Sequence, residues 1–171
     1  AVMAAMRRRY NTDTYREVVK NIREFFPEGA ITTDIIVGFP GETEEDFEES
    51  CAFIEEIGFE KVHIFPYSRR TGTDAAVMQN QVPNTVKTER CSKMAKRAEA
   101  VRAQFLEHQI GKTESVLIES EIKDGMMQGY TMNYAPVALP AVKGLLCTVQ
   151  DVVITGVSGG CCIGRIKNPP V

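Results

Sequence analysis

Apolar residues recur at helical spacing in parts of this chain and alternate in short runs in others. Tyr15, Val18, Val19, Ile22, Phe25 and Phe26 fall three and four apart, which predicts an amphipathic helix. Thr12 or Asp13 suits its N-cap, and Pro27 and Gly29 stop it. Ahead of it, Val2, Met3 and Met6 read as the end of another helix running into Arg7, Arg8 and Arg9. The β-branched run from Ala30 to Val37 predicts a strand suited to burial on both faces, as in a parallel sheet. Gly38-Phe39-Pro40-Gly41 is then a turn, and Thr43 caps a helix whose first turn holds Glu44, Glu45 and Asp46. Phe47, Cys51, Phe53, Ile54 and Ile57 form that helix's apolar stripe, and Gly58 ends it. Lys61–Phe65 predicts a second strand, stopped by Pro66.

This is β–α–β–α–β order with crossovers of about 20 residues, so the strands are expected to be parallel with right-handed connections. Two strands do not make a covered parallel sheet. The opening also reads as mid-helix and does not start with Met, so a longer parent chain carrying the rest of the sheet is expected. The unpaired strand edge before Gly38 is then a hazard for self-association.

Residues 69–86 lack periodicity, and 85–110 reads as one long helix. Lys87, Arg90, Lys93 and Arg97 lie near one face of it, with Met94, Val101, Phe105 and Leu106 on another. Beyond Gly111 the texture becomes short alternating runs punctuated by glycines. Four or five strands in about 60 residues predict a small antiparallel barrel or sandwich. The expected organisation is therefore an α/β domain over 1–110 and an all-β domain over 111–171.

Composition changes this picture little. The 171 residues are 43% hydrophobic and 25% charged, as in ordinary globular proteins, with no apolar run long enough for a membrane span. The net charge is −3, but residues 1–84 carry 9 Lys and Arg against 15 Asp and Glu, and residues 85–171 carry 11 against 8. The two halves are therefore expected to do different work. The cysteines are Cys51, Cys91, Cys147, Cys161 and Cys162, an odd number with no CxxC spacing. They read as buried small residues in a reducing, cytoplasmic setting, with no metal site among them.

The chemistry concentrates in Thr33–Thr43. A parallel strand delivers its C-terminal end to the ligand-binding edge of an α/β sheet or barrel. Gly38 and Gly41 allow close backbone approach to a ligand, Pro40 stiffens the turn, and Ile36 can line an apolar surface. Glycines required only for a tight strand-to-helix turn are the plainer explanation. Asp34 reads equally as a ligand contact or a satisfied structural acid. Glu42 has the same two readings, with an acid at a helix N-terminus favoured. His63 reads as a sheet-face residue, and His108 as a favourable charge at a helix end.

Four segments carry a resemblance. They are MRRRY at Met6–Tyr10, TDIIVGFPGET at Thr33–Thr43, VHIFPYSRRTGTDAAVM at Val62–Met78, and VKTER at Val86–Arg90. Together they resemble radical-SAM enzymes, and specifically the methylthiotransferase family. Such a protein installs a methylthio group at position 2 of an adenosine, using S-adenosylmethionine, two [4Fe–4S] clusters and an electron donor. The resemblance implies that 1–110 is the last part of a TIM-like radical-SAM barrel and that 111–171 is a TRAM domain, an OB-like RNA-binding barrel. MRRRY and FPYSRRTGT look most like the branch acting on threonylcarbamoyl-adenosine beside the tRNA anticodon. The isopentenyl-adenosine and ribosomal-protein branches are alternatives, and an isolated RNA-binding module is another. The CxxxCxxC and N-terminal cysteines that hold the clusters in the family are not matched here. Thiolate ligands are indispensable to such clusters, so the chain alone is expected to be inactive, with no catalytic residue of its own.

By the same resemblance, Ile36, Gly38, Phe39, Pro40 and Gly41 lie against S-adenosylmethionine, and Phe65, Pro66 and Tyr67 meet its adenine edge. Ser68 and Arg69 follow at the same end. For the anticodon stem–loop, phosphate contacts are expected from Arg8 and Arg9 and from Lys93 and Arg97, although a solvated helix face explains the last two as well. Tyr130 and Tyr134, placed on one strand face by their even spacing, are candidates to stack on bases beside Asn133. Lys143, Arg165 and Lys167 would track the backbone. Ordinary barrel-core aromatics explain the tyrosines equally well, and 5 basic against 5 acidic residues after Gly111 argue against binding by charge alone.

Overall fold

The computed structural model describes residues 2–122 and 124–168. Residues 1, 123 and 169–171, which include the outer bounds of the two expected domains, lie outside the described residues. The chain divides into two compact units, one ending at Arg102 and the other beginning at Ala103. The division falls inside the long helix rather than at Gly111.

In the first unit α1 (Val2–Ala5) ends before the arginines, and Arg7 adopts a left-handed φ of 55°. Arg7–Arg9 therefore lie beyond the helix, in the irregular segment before the next one. The second helix, α2 (Thr12–Phe25), is capped one residue earlier than the sequence suggested: the Asn11 side chain accepts from the Thr14 N–H at 2.8 Å. Asparagine is as good a cap as aspartate. Strand β1 (Thr32–Val37) follows, then α3 (Glu44–Ile57). Thr43 and Asp46 form a reciprocal capping box: the Asp46 N–H donates to Thr43 Oγ1 at 3.1 Å and the Thr43 N–H to Asp46 Oδ2 at 3.0 Å. Gly58 closes α3 in the left-handed region. Strand β2 (Lys61–Pro66) pairs with β1 in parallel, from Thr32↔Lys61 to Val37↔Pro66.

The short α4 (Asp74–Val77) and long α5 (Asn84–Glu107) complete the helices. Phe47, Cys51, Ile54 and Ile57 of α3, with Val19, Val37, Phe59, Met94 and Val101, form the core, and Ile35, Val62 and Ile64 pack against it. Only this face of the β1–β2 sheet is covered. Asp34, Ile36, His63 and Phe65 all point to the other face and are exposed, so the expectation of burial on both sides fails among the described residues.

The second unit is a closed barrel in the order β3-β4-β5-β7-β6. Its strands are β3 (Thr113–Ile122), β4 (Met126–Thr131), β5 (Pro136–Pro140), β6 (Val149–Ser158) and β7 (Cys161–Ile166). The pairings are antiparallel except β5 with β7. Val116, Ile118, Met127, Val137, Leu139, Val152, Ile154 and Cys162 alternate inward to fill it. Register shifts at Ile118/Ser120 and Ile154/Gly156 bend β3 and β6, as closing so small a barrel requires. At Gly129 a Cβ would lie 2.1 Å from the Leu117 carbonyl oxygen, so this position is glycine for close strand approach.

Candidate functional site

The C-terminal ends of β1 and β2 lie side by side. Ile36 and Phe65 are register partners on the uncovered sheet face, one residue pair beyond Asp34 and His63. Ile36 is 39% exposed and Phe65 50%, so two partly exposed apolar side chains stand at the strand ends. His63 is thus the sheet-face residue expected of it, with Asp34 on the same exposed face.

Beyond β1 the chain turns through Gly38 (φ 76°) and Gly41 (φ 84°). Phe39 and Pro40 are buried, and so is Gly38, whereas Gly41 is exposed. A Cβ at Gly41 would meet nothing within 4 Å, but one at Gly38 would sit 2.2 Å from Lys87 Cγ. The space a side chain would take at Gly38 is thus filled by the Lys87 stem, whereas at Gly41 it is open. Beyond β2, the Tyr67 N–H donates to the Val37 carbonyl at 2.8 Å, tying the two strand exits together. The Phe39 ring meets the Tyr67 ring edge-on at 5.4 Å. The Tyr67 hydroxyl is buried without a hydrogen-bond partner. Pro66, Ser68 and Arg69 are exposed.

Glu42 is a satisfied structural acid, the less favoured of its readings, rather than a helix N-terminal charge. Its carboxylate turns back to accept from the Gly38 N–H with both oxygens at 3.0 Å and from Arg90 Nη1 at 2.8 Å. Both side chains of this ion pair are 7% exposed. Burial pushes the Glu42 carboxyl up, and the Gly38 N–H and Arg90 oppose that. Arg90 also donates to the Glu42 carbonyl and to Glu44, and its guanidinium lies over the Phe47 ring. Hydrogen bonding from Arg90 holds the Glu44 carboxyl below its ordinary value. Lys87 Nζ donates to the Tyr67 carbonyl at 2.9 Å and lies over that ring.

The rest of the basic face of α5 is engaged in the same way. Lys93 pairs with Glu44 and Glu89, and Arg97 with Glu48 and Glu55. The cations expected on phosphates are therefore met by the acidic helix α3. Lys87 and Arg90 were missed as site residues; the signal available was the matching run of acids at Glu42–Glu49.

A cavity of about 260 Å³ runs beside β1, lined among others by Met3, Met6, Arg8, Tyr10, Asp34 and Ile36. It brings Arg8 together with Ile36. Arg8 and Arg9 are exposed, without an ion pair among the described residues.

In the barrel unit Tyr130 lies on β4, but β4 ends at Thr131 and Tyr134 follows in a turn with φ 62°. The two tyrosines do not share a strand face, because the Thr131 hydroxyl and backbone close a tight loop with Ala135. Tyr134 is 74% exposed and Tyr130 36%. Tyr130, Leu117 and Val149, partners across β4, β3 and β6, form an exposed row. Lys143, Arg165 and Lys167 are exposed: Lys143 in the β5–β6 loop, Arg165 opposite Val153, and Lys167 just past β7. Cys162 is buried in β7, as a small core residue there should be, and Cys161 is half-buried. Burial also pushes the Cys51 thiol up to about 11, which makes it a poor metal ligand.

A family profile of the Radical SAM superfamily matches residues 2–54, from α1 through β1 and its loop into α3. The chain is 38% identical over 157 residues to the tRNA-2-methylthio-N(6)-dimethylallyladenosine synthase of Bacillus pumilus, covering 91% of this chain and 31% of that protein. It is 34% identical over 157 residues to the threonylcarbamoyladenosine tRNA methylthiotransferase MtaB of Bacillus subtilis, covering 90% and 35%. It is 36% identical over 170 residues to the dimethylallyladenosine synthase of Bartonella bacilliformis, covering 98% and 36%. The strand-end loop thus belongs to a radical-SAM protein. Within that superfamily, the chain belongs to the methylthiotransferase family. It spans about a third of the length of these curated relatives.

Proposed function

We propose that this chain is part of a cytoplasmic tRNA methylthiotransferase that modifies an N6-substituted adenosine at position 2 beside the anticodon. The observation that carries the reading is the pair of adjoining strand ends, with Ile36 and Phe65 partly exposed and Gly41 open, in a chain similar to two kinds of tRNA methylthiotransferase.

S-adenosylmethionine suits this wall. Ile36, Phe65 and Pro66 offer apolar surface to an adenine, and Gly41 leaves backbone open to a polar edge. Gly38, Phe39 and Pro40 support the loop from behind, and Tyr67 holds it to β2. S-adenosylmethionine would supply the radical that starts the reaction, with electrons from a reduced donor. The iron–sulfur clusters do not fit the residues present. Among the described residues no group of three or more His, Cys, Asp or Glu is placed to hold a metal ion, and the cysteines are scattered over α3, α5, the β5–β6 loop and β7. No step is assigned to a cluster on this chain, which is expected to be inactive by itself.

The barrel reads as a TRAM-like RNA-binding unit. Its support is the exposed Tyr130 and Tyr134, with Arg165, Lys167 and Lys143 free to meet phosphates. Arg8 and Arg9 are the remaining candidates near the strand ends.

The threonylcarbamoyl-adenosine branch is favoured by MRRRY and FPYSRRTGT, while relatives named for dimethylallyladenosine match over similar spans. The gene containing this sequence should be expressed in a host lacking its own methylthiotransferases and the tRNA nucleosides analysed by mass spectrometry. 2-Methylthio-N6-threonylcarbamoyladenosine is expected. The dimethylallyl product would move the protein to the other branch, and a methylthiolated ribosomal protein with unmodified tRNA would overturn the reading.

A further inference from the structure

The basic face of α5 is turned onto the loops beyond β1 and β2. Lys87 lays its aliphatic stem against Gly38 and ends on the Tyr67 carbonyl. One turn later Arg90 takes the Glu42 carboxylate and carbonyl, and that carboxylate in turn holds the Gly38 N–H. The two cations therefore grip the backbone on either side of the β1 loop and the exit of β2. Arg90 and Glu42 are nearly as buried as core residues. A buried pair of this kind is a weak source of stability, because desolvation offsets most of the attraction. It does fix geometry, because the planar guanidinium admits few arrangements of its acceptors.

We infer that Lys87, Arg90 and Glu42 are positioning residues: they set the placement of the two strand-end loops, and with it the surface offered to an adenosyl ligand, and take no part in RNA contact. This rests on the reading that these strand ends face S-adenosylmethionine. Lys87 Nζ and the Arg90 fork are spent on main-chain carbonyls and carboxylates, so neither is available to a phosphate. The ligand wall itself, Ile36 and Phe65, touches neither cation directly; it is placed through Gly38 and Tyr67.

The test uses the full-length protein with reconstituted clusters. Equilibrium dialysis with labelled S-adenosylmethionine measures one affinity, and filter binding of tRNA across a salt series measures the other. Lys87→Met keeps the stem and loses the donor; Lys87→Arg restores a donor; Arg90→Lys keeps charge and loses the fork. Lys87→Met and Arg90→Lys should weaken S-adenosylmethionine binding about tenfold, as expected for one lost charge-assisted hydrogen bond. Lys87→Arg should bind nearly as the natural protein does. Affinity for tRNA and its salt slope should not change in any of them. Unchanged S-adenosylmethionine affinity in Lys87→Met overturns the inference, as does a salt slope lowered by about one, the mark of a lost phosphate contact. Should Arg90→Lys fail to fold, Lys87→Met decides, since Lys87 is only half-buried. Failure of the natural protein to bind S-adenosylmethionine would remove the functional reading and the inference together; normal binding with an indifferent Lys87→Met removes the inference alone.

Discussion

The contrast between Gly38 and Gly41 gives the most direct measure of how tightly α5 is seated on the strand-end loop. Both have left-handed φ, 76° and 84°, so alanine costs about 1–2 kcal/mol of backbone strain at either position. At Gly41 nothing lies within 4 Å of the added carbon, and the strain is the whole cost. At Gly38 the carbon would lie 2.2 Å from Lys87 Cγ and 2.8 Å from Cδ. Lys87 must then leave, giving up its 2.9 Å bond to the Tyr67 carbonyl, at a further cost of about 1.5–3 kcal/mol for a charged hydrogen bond. Gly38→Ala should therefore cost roughly 2.5–5 kcal/mol against roughly 1–2 for Gly41→Ala. In a Lys87→Ala background the crowding disappears, and Gly38→Ala should fall to the Gly41→Ala value. Urea unfolding followed by helical circular dichroism is the assay, because among the described residues every helix lies before Gln109. Equal effects of the two alanines, or no relief from Lys87→Ala, would refute the packing account.

Tyr67→Phe should leave stability unchanged or raise it in thermal melts, because the hydroxyl it removes is buried without a partner; a clear loss would show a bond to that hydroxyl. Gly129→Ala should unfold the barrel or cost more than about 3 kcal/mol, since its Cβ would strike backbone rather than a movable side chain; mild destabilisation in barrel hydrogen exchange would refute it. Asp46 and Glu56 are held below the ordinary carboxylate range by the Thr43 hydrogen bonds and by Arg16, as Glu44 is by Arg90. Groups with lowered folded values stabilise above their unfolded value and lose that contribution as pH falls through the folded one. Stability should thus decline below about pH 4, with Glu42, pushed up by burial, acting in the opposite sense; a flat acid limb in pH-dependent melts would contradict this. The outer edges of β1 and β2, unpaired among the described residues, should give concentration-dependent association in sedimentation, and a clean monomer at high concentration would count against it.

The elements legible from sequence were those with local causes. The Thr43 cap, the α3 stripe and the Gly58 stop each need only neighbouring residues, and each stands where the pattern placed it; that Asp46 closes a capping box with Thr43 is added by the structure. Strand pairing in parallel followed from crossover length alone. Position 134 was lost because period-two counting assumes that a strand continues. Thr131 ends β4 by hydrogen bonding across a five-residue loop, and alternation carries no record of that.

The basic face of α5 was misread for a different reason. Its partners on α3 lie 42 to 49 residues away in the chain, and a charged face looks the same in sequence whether it meets solvent, phosphate or another helix. Helix periodicity specifies which side chains share a face but not what covers that face. A register check across elements narrows the choice. Lys87, Arg90, Lys93 and Arg97 descend α5 in steps of three and four, while Glu42, Glu44, Glu48 and Glu55 descend the β1 loop and α3 in matching order. The crossover helix α3 and the later α5 share one core on the same face of the sheet, and that packing places the two rows against each other. Complementary rows of that kind favour helix packing over nucleic-acid contact for the buried Arg90. Under the proposed tRNA-binding role, the candidates that remain are exposed cations without an ion pair among the described residues: Arg8 and Arg9 before α2, and Arg165 and Lys143 on the barrel.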